Sequence, residues 1–188
     1  VVESLDLRSF NTANVTDMHG LFRDCSNLQT IYVSSSWTTA SVTDSEDMFK
    51  DCSSLVGDAG TTYNASHTDA GYAHIDEGQT NPGYLSVINE PYAVLSEEKT
   101  VLTFYYDHLK KDRGGLSVGP FSSSGSSWVG TSGNNVTTAT FDPSFANCTS
   151  ITSTAYWFYH LYKLTAINGI EYLNTTNVTD MENMFGGC

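Results

Sequence analysis

The hydrophobic positions of this chain recur at a fixed interval. The pattern Asn-Val-Thr-Asp-Met begins at Asn14 and returns at Asn177, and a looser copy begins at Val42. Phe22 and Cys25 follow the first copy, and the looser copy repeats both residue types 27 positions further on. A constant interval, with apolar residues retained and polar residues drifting, is typical of stacked repeats. The pattern therefore predicts a repeat fold.

The spacing of apolar residues changes within each copy of the repeat. Residues 5–7 alternate apolar and polar side chains, as a very short strand does. After a turn, apolar residues fall at i, i+3, i+4 and i+7, which is one face of about two helical turns: Met18, Leu21, Phe22 and Cys25. The predicted fold class is an α/β repeat, a parallel solenoid in which each unit has a short strand, a turn and a short helix.

Repeated aromatic and sulfur positions form the predicted core of these repeats: Phe22, Cys25, Phe49, Cys52, Phe145, Cys148, Phe158 and Phe185. Stacking predicts that Phe22 and Phe49 lie on top of each other. It would also bring Cys25 and Cys52, one interval apart, near disulfide range. Leu161 occupies the cysteine position in another copy, so this position behaves as a small buried apolar site. The presence of leucine at the cysteine position favours reduced thiols over a disulfide.

Interruptions of the repeat pattern divide the chain into four predicted segments. Solenoid repeats occupy 1–57 and 135–188. Residues 58–87 have no helical period and are predicted to be a connecting or capping loop. Residues 88–134 contain two aromatic and β-branched runs around a polar turn, and they predict an inserted antiparallel β-hairpin module. Both chain ends fall inside repeats, so we expect the array to continue beyond the chain end.

The net charge of the chain argues against some classes of binding partner. The formal net charge of -13 argues against nucleic acid and anionic membranes, because both require clustered Lys and Arg. The cluster of Lys110, Lys111 and Arg113 lies beside Asp107 and Asp112 and is interpreted as a solvated turn. No run of about 18 apolar residues occurs, so no membrane span is predicted. Abundant Ser and Thr with scarce basic residues favours an extracellular or cell-surface location.

Six asparagines lie in the acceptor sequence for N-glycosylation: Asn14, Asn64, Asn135, Asn147, Asn174 and Asn177. Asn14 and Asn177 also occupy a repeat position, where the alternative is a side chain that bonds turn backbone. Asn64 is the favoured glycosylation site, because its surroundings are typical of an exposed loop.

No catalytic, cofactor or metal site is predicted. The five histidines lie in unrelated contexts without a nucleophile motif nearby, and no Gly-rich phosphate loop follows a strand. The stretch from His67 to Glu77 is rich in His and carboxylates, but its spacing matches no metal-ligand pattern. We therefore expect the protein not to be an enzyme.

The most aromatic stretch supplies candidate partner-binding residues: Tyr156, Trp157, Tyr159 and Tyr162. Because Phe158 and Leu161 hold the buried repeat positions, these aromatics must share the other faces. Exposed aromatics often anchor an interface. Packing against the preceding β module is the favoured alternative.

The repeat strings resemble a known family. Residues 5–7 and 11–18, and again the string 169–181, resemble the BspA-type leucine-rich repeats of microbial surface proteins and lipoproteins. The linking pieces at 81–84 and 102–107 are also similar to that family. The resemblance implies a parallel leucine-rich-repeat-like solenoid on a cell surface or in extracellular material. It implies adhesion, binding or a structural role, with no catalytic residues.

Two functions are consistent with these observations. The first is an extracellular structural or adhesive repeat protein, a building block of a tandem array or filament on or shed from a cell surface, with copies of itself as partners. The alternative is a discrete adhesin or receptor-binding module whose exposed aromatics bind a host or cell-surface protein or a glycan. Neither function involves nucleic acid, a cofactor or a membrane span in this segment.

Overall fold

The repeats in the first half of the chain form a small parallel sheet. The computed structural model describes residues 2–132 and 135–188 and divides the chain into a first unit, Val1–Ile88, and a second unit, Asn89–Cys188. In the first unit three strands pair in parallel in chain order: β1 (Ser4–Asp6), β2 (Thr30–Tyr32) and β3 (Leu85–Ser86). Equivalent apolar residues of successive repeats therefore lie side by side.

The prediction of a helix in each repeat is wrong. From Met18 to Cys25 the chain makes consecutive tight turns, each closed by a bond between residues three apart. Gly20 and Asp24 have φ angles of 60° and 61°, in the left-handed region that a right-handed helix excludes. Among the described residues the longest helix is α1 (Ser127–Ser132), with six residues. The predicted α/β leucine-rich-repeat-like solenoid is therefore incorrect, and the units are β units with few short helices.

Backbone hydrogen bonding explains the difference. Alternate amides of the turn segment donate to carbonyls of the next repeat rather than to carbonyls four residues back: Met18 to Asp44 (2.8 Å), Gly20 to Glu46 (2.9 Å), Phe22 to Met48 (2.8 Å) and Asp24 to Lys50 (2.8 Å). Since these amides are used between repeats, they cannot close a helix. Met18 and Phe22 point inward, whereas Leu21 and Cys25 are exposed.

The second unit contains a five-stranded mixed sheet in the order β6-β4-β5-β7-β8. Its strands are β4 (Glu90–Leu95), β5 (Val101–Asp107), β6 (Leu116–Ser117), β7 (Thr138–Phe141) and β8 (Ala166–Asn168). The predicted hairpin is present as antiparallel β4 and β5. It is not a separate insertion, because β5 pairs in parallel with β7, and β7 with β8.

The remaining elements are short 3-10 helices: Ala70–Tyr72, Gly78–Thr80, Pro143–Asn147 and Ile170–Tyr172. In the second unit the turn segments at 154–161 and 181–188 repeat the arrangement of the first unit, with amides of one donating to carbonyls of the other. Tyr156, His160 and Asn183 also adopt positive φ there. The stacked turn is therefore the repeating structure of both units.

Most of the predicted repeat-core residues are buried: Phe22, Phe49, Cys52, Phe145, Cys148 and Phe158. Cys25 and Phe185 are the exceptions, since both are exposed. Each lies in a repeat that has a stacked neighbour on one side only. In the first unit the other side of the stack is covered by Tyr84, whose ring meets Phe49 edge-on at 5.2 Å.

Candidate interaction surfaces

The first repeat presents an open apolar surface, which we call the N-terminal face. A cavity of about 410 Å³ opens on it, and its lining includes Leu7, Phe10, Met18, Leu21, Phe22 and Trp37. Phe10 and Leu21 are 53% and 49% exposed, whereas Phe22 is 3% exposed and forms the floor.

The backbone of the N-terminal face offers a row of acceptors. The stacked turns leave carbonyls at alternate residues without a partner among the described residues: Asp17, His19, Leu21 and Arg23. The Thr16 amide and hydroxyl are likewise unpaired in the described part of the chain. β1 is also the edge strand of its sheet, so its outer backbone groups are available for pairing.

The last repeat of the second unit also presents apolar side chains at its surface, which we call the C-terminal face. Met181 and Phe185 are 51% and 50% exposed, while Met184 points into the core. Here the unpaired backbone groups are donors. Within the described residues, amides at alternate positions have no acceptor: Met181, Asn183, Phe185 and Gly187.

The predicted partner-binding aromatics separate into two groups. Trp157 is fully buried, and the buried Tyr156 donates its hydroxyl to Glu182 Oε1 at 2.6 Å, so neither is available to a partner. Tyr159 is partly exposed and Tyr162 is 61% exposed. The His160 ring stacks on both, with ring centroids 3.8 Å from Tyr159 and 5.1 Å from Tyr162. Sequence reasoning missed His160, although it lies between two of the residues it selected.

A protein-family model matches most of the chain. The family described as "Mycoplasma protein of unknown function, DUF285" matches residues 3–80 and 133–188. The chain belongs to the DUF285 family. These two stretches contain the stacked turns of both units, and the hairpin β4–β5 lies between them. No curated protein and no solved structure matches the chain.

The candidate glycosylation sites of this DUF285 chain lie at the surface. Five of the six asparagines are exposed and Asn174 is partly exposed. The Asn177 side chain already donates to the Thr149 carbonyl at 2.9 Å, and Asn64 Oδ1 accepts the Ser66 amide at 2.9 Å. The Asn64 bond, which accepts from the amide two residues on, is of the kind that orders a turn, whereas the Asn177 bond reaches a residue 28 positions earlier in the chain. Glycosylation at these positions stays a prediction.

All four cysteines are free thiols, as the exchange with leucine indicated. Cys52 donates its Sγ hydrogen to the Phe22 carbonyl at 2.9 Å, and Cys188 makes the same bond to the Phe158 carbonyl at 3.2 Å. Burial raises the pKa of Cys52 to about 11. Cys52 therefore packs between turns as a protonated thiol.

Asp76 is the buried carboxylate of the stretch that was weighed for metal binding. Its oxygens accept from the Thr61 hydroxyl and from backbone amides of Ala59, Thr61, Gly78 and Gly83, at 2.7–3.3 Å. Burial raises the pKa of Asp76, but these bonds outweigh it and lower the pKa to about 2. In the described residues no three metal-ligating side chains converge. Asp76 instead ties together the loops that close the first unit.

The basic cluster is organised by ion pairs rather than left as a solvated turn. Arg113 Nη1 lies 2.9 Å from Asp107 Oδ2 and 2.7 Å from the Tyr92 hydroxyl, which itself donates to Asp107 Oδ1 at 2.6 Å. The guanidinium also lies 4.2 Å from the Tyr105 ring centre, a cation–π distance. These contacts neutralise Arg113, so it does not form an anion site.

Among the described residues, none of the helices has the length and apolar character needed to cross a bilayer. Tyr159, His160 and Tyr162 form one candidate interaction feature of the described surface.

Proposed function

We propose that this DUF285 protein is an extracellular structural or adhesive repeat protein, a building block of an array on or shed from a cell surface. The observation that carries the proposal is the stacked turn that recurs in both units, in which alternate amides of one repeat donate to carbonyls of the next. Repeats that pair with their neighbours in this way suit a structural or adhesive array.

Composition and resemblance support the location. The chain is acidic, with 21 Asp and Glu against 8 Lys and Arg, and it is rich in Ser and Thr. Its Asn-Val-Thr-Asp-Met strings resemble those of BspA-type microbial surface proteins. The proposal assigns no catalytic activity and no cofactor, and its partners are copies of the protein itself.

Labelling of intact cells tests this function. Antibodies raised against the purified protein are applied to intact and to permeabilised cells of the source, followed by gold labelling in electron micrographs. We expect labelling of intact cells, in clusters or continuous material outside the cell envelope. Labelling that requires permeabilisation would contradict the proposal, and isolated single copies on the surface would contradict the array.

The row formed by Tyr159, His160 and Tyr162 supports a second candidate, a discrete adhesin. Stacked, exposed aromatic rings suit binding to a host or cell-surface protein or to a glycan. Binding is measured on a glycan array and on immobilised extracellular-matrix proteins. We expect Tyr162→Ser to abolish any binding with an unchanged melting temperature. Ile170→Ser, at an exposed apolar residue of the second unit, is the control and should bind as the parent does.

A further inference from the structure

We infer that the first unit has a binding pocket for a neutral sugar, formed by the segment that was predicted to be a connecting or capping loop. The pocket has a volume of about 430 Å³, which lies in the range of about 300–1,000 Å³ typical of small-molecule sites. All of its lining residues fall between Ala59 and Pro82. It therefore shares no residue with the N-terminal face, the C-terminal face or the row formed by Tyr159, His160 and Tyr162.

A buried carboxylate holds the pocket together. Most of the lining comes from two segments, 59–64 and 78–82. The oxygens of Asp76 accept backbone amides from both segments, at 2.9–3.0 Å: Ala59, Thr61 and Gly78. Because these bonds fix the two segments without a ligand, the pocket is formed in advance, and less conformational entropy is lost on binding.

The lining contains no formally charged side chain, which restricts the ligand to a neutral molecule. No Asp, Glu, Lys or Arg lines the pocket, although the chain has 21 acidic and 8 basic residues. The Asp76 carboxylate is not part of the lining and is already satisfied by amides and a hydroxyl. Without Lys or Arg the pocket cannot balance a phosphate or a carboxylate, and without a free carboxylate it cannot balance an ammonium.

The pocket also offers polar side-chain groups that have no hydrogen-bond partner among the described residues: the Thr62 hydroxyl, Asn64 Nδ2, the His67 imidazole, the Tyr72 hydroxyl and the Gln79 amide. Hydroxyls, carboxamides and neutral imidazoles each provide both donors and acceptors. Sugar hydroxyls likewise donate and accept. A set of neutral groups of both kinds therefore suits a ligand with several hydroxyls on one ring.

Two aromatic rings provide apolar surface in the same pocket. The rings of His67 and Tyr72 stack with their centroids 4.3 Å apart and an angle of 22°, and both residues are partly exposed. A pyranose has hydroxyls at its edge and C–H groups on its faces. Since the faces of aromatic rings are negative, they attract the weakly positive C–H hydrogens. Aromatic surface beside neutral polar groups therefore matches both parts of a sugar.

Titration of the isotope-labelled protein, followed by backbone amide chemical shifts, tests the inference. The probes are the methyl glycosides of glucose, galactose and mannose, and N-acetylglucosamine. The protein is produced in a bacterial host that lacks N-glycosylation, because a glycan on Asn64 would begin in the pocket. At least one sugar should bind with a Kd on the order of 1 mM, as expected for a ligand of this size. It should shift the amides of 59–64 and 78–82.

Two variants of lining residues measure the contribution of the pocket. Gln79→Ala should weaken binding of that sugar about fivefold, because it removes a hydrogen-bonding group. His67→Ala should weaken binding at least about tenfold, because it removes stacking surface as well. Gln29→Ala is the matched control, since Gln29 is an exposed glutamine of the same unit that does not line the pocket. It should bind as the parent does. If His67→Ala melts at a lower temperature, Gln79→Ala, at an exposed residue, decides the result.

Charged and aromatic probes test whether the ligand is a neutral sugar. Glucose 6-phosphate and glucuronate should bind more weakly than the neutral sugars, because no Lys or Arg lines the pocket. Adenosine, which is neutral and can stack on aromatic rings, represents the competing chemistry. Tighter binding of adenosine or of either anion would overturn the inference. So would sugars that cause no shifts well above the millimolar range, shifts confined to other residues, or a Gln79→Ala variant that binds as the parent does.

The same titration distinguishes this pocket from the aromatic row of the second unit. Tyr162→Ser should bind the monosaccharides as the parent does, because Tyr162 does not line the pocket. A Kd in the millimolar range is too weak to retain a glycan through the washing of an array. The array and the titration therefore report on different sites.

The inference goes beyond the proposed function and does not depend on it. Sugar binding by the purified protein together with labelling only in permeabilised cells would leave the pocket standing and remove the surface role. Surface arrays on cells together with no sugar binding would leave the proposed function standing and remove the pocket.

Discussion

The two units build their cores from the same repeat in different ways. In the first unit each stacked layer contributes one ring, so that Phe22 lies on Phe49 and Tyr84 covers the end. In the second unit Phe104 of β5 lies parallel to Phe141 at 4.5 Å and to Trp157 at 5.1 Å. A strand from outside the repeats thus enters the core of the second unit.

Because of this difference, one residue of the second unit makes many more aromatic contacts than any single ring of the stack in the first unit. Phe104 also meets three further rings edge-on: Trp128, Phe145 and Phe158. Phe22 contacts only Phe49 and Trp37 among the aromatic rings of the described residues. Stability should therefore depend on one central ring in the second unit and on a sum of similar layers in the first, as in other stacked repeats.

The units also differ in how polar groups are stabilised. Asp76 in the first unit is buried, has no cationic partner among the described residues, and is held by amides and a hydroxyl. In the second unit Asp107 is paired with Arg113 and accepts the Tyr92 hydroxyl. Buried carboxylates require such compensation, and the first unit supplies it from backbone amides and one hydroxyl.

Removal of the central ring should have the largest effect. We expect Phe104→Ala to destabilise the second unit by about 5 kcal/mol, the upper end of values for buried phenylalanines, because five neighbouring rings cannot all close the cavity. Hydrogen exchange followed by mass spectrometry should show loss of protection in 89–188 with little change in 2–88. Phe104→Leu is the control and should cost far less. Equal loss of protection in both units would refute the proposed difference.

Removal of one ring from the stack in the first unit should have a smaller effect on stability. Phe22→Ala should destabilise the first unit by about 3 kcal/mol, the lower end of the same range, because one side of this layer already borders an open cavity. Urea denaturation, with hydrogen exchange to assign the unit, measures the loss. A value below about 1 kcal/mol would mean that the stack of Phe22 on Phe49 contributes little.

Loss of the Asp76 charge should have the smallest effect and should depend on pH. Since its folded pKa of about 2 lies below the ordinary value, the charge stabilises the fold above pH of about 4, and the contribution of about 2 kcal/mol disappears as the pH falls towards 2. Asp76→Asn should remove a similar amount at pH 7 and flatten the acid dependence of the first unit.

Asp6→Asn is the matched control for Asp76. Hydrogen bonds from Arg8 lower the pKa of Asp6 to about 2 as well, but this pair is exposed to water, where ion pairs contribute little. Denaturation curves between pH 2 and 7 should therefore leave Asp6→Asn close to the parent. Identical behaviour of the two variants would show that burial of Asp76 does not matter.

Several features followed from the sequence because they depend only on spacing. The interval between Phe22 and Phe49 predicted that their rings stack, and this is confirmed. The leucine that replaces a cysteine favoured reduced, buried thiols; the four cysteines are free, and Cys52 and Cys148 are buried, whereas Cys25 and Cys188 are exposed. The alternating aromatic runs predicted the hairpin of β4 and β5. In each case a local pattern or a fixed interval is sufficient, because equivalent positions in stacked layers must have compatible size.

The sequence alone could not separate a helix from a stacked turn. Met18 and Phe22 are four residues apart, a spacing that satisfies a helical face and a pair of tight turns equally well. The choice was made by amides that bond between repeats and by the left-handed residues Gly20 and Asp24, and neither can be seen without a neighbouring layer. The pairing of β5 with β7 is likewise a contact between distant segments.

The sequence therefore determined which residues repeat, which apolar types occupy the layers and where the hairpin forms. The tertiary structure decided that each layer is a stacked turn and not a helix, and that Asp76 is buried among amides. It also decided that Met181 and Phe185 face outward while Met184 faces inward. The physical reason is that burial and hydrogen-bond partners are properties of the packed neighbours. A motif repeated in the sequence has the same side chains at Asn14 and at Asn177, but its free surface depends on which side of it is covered.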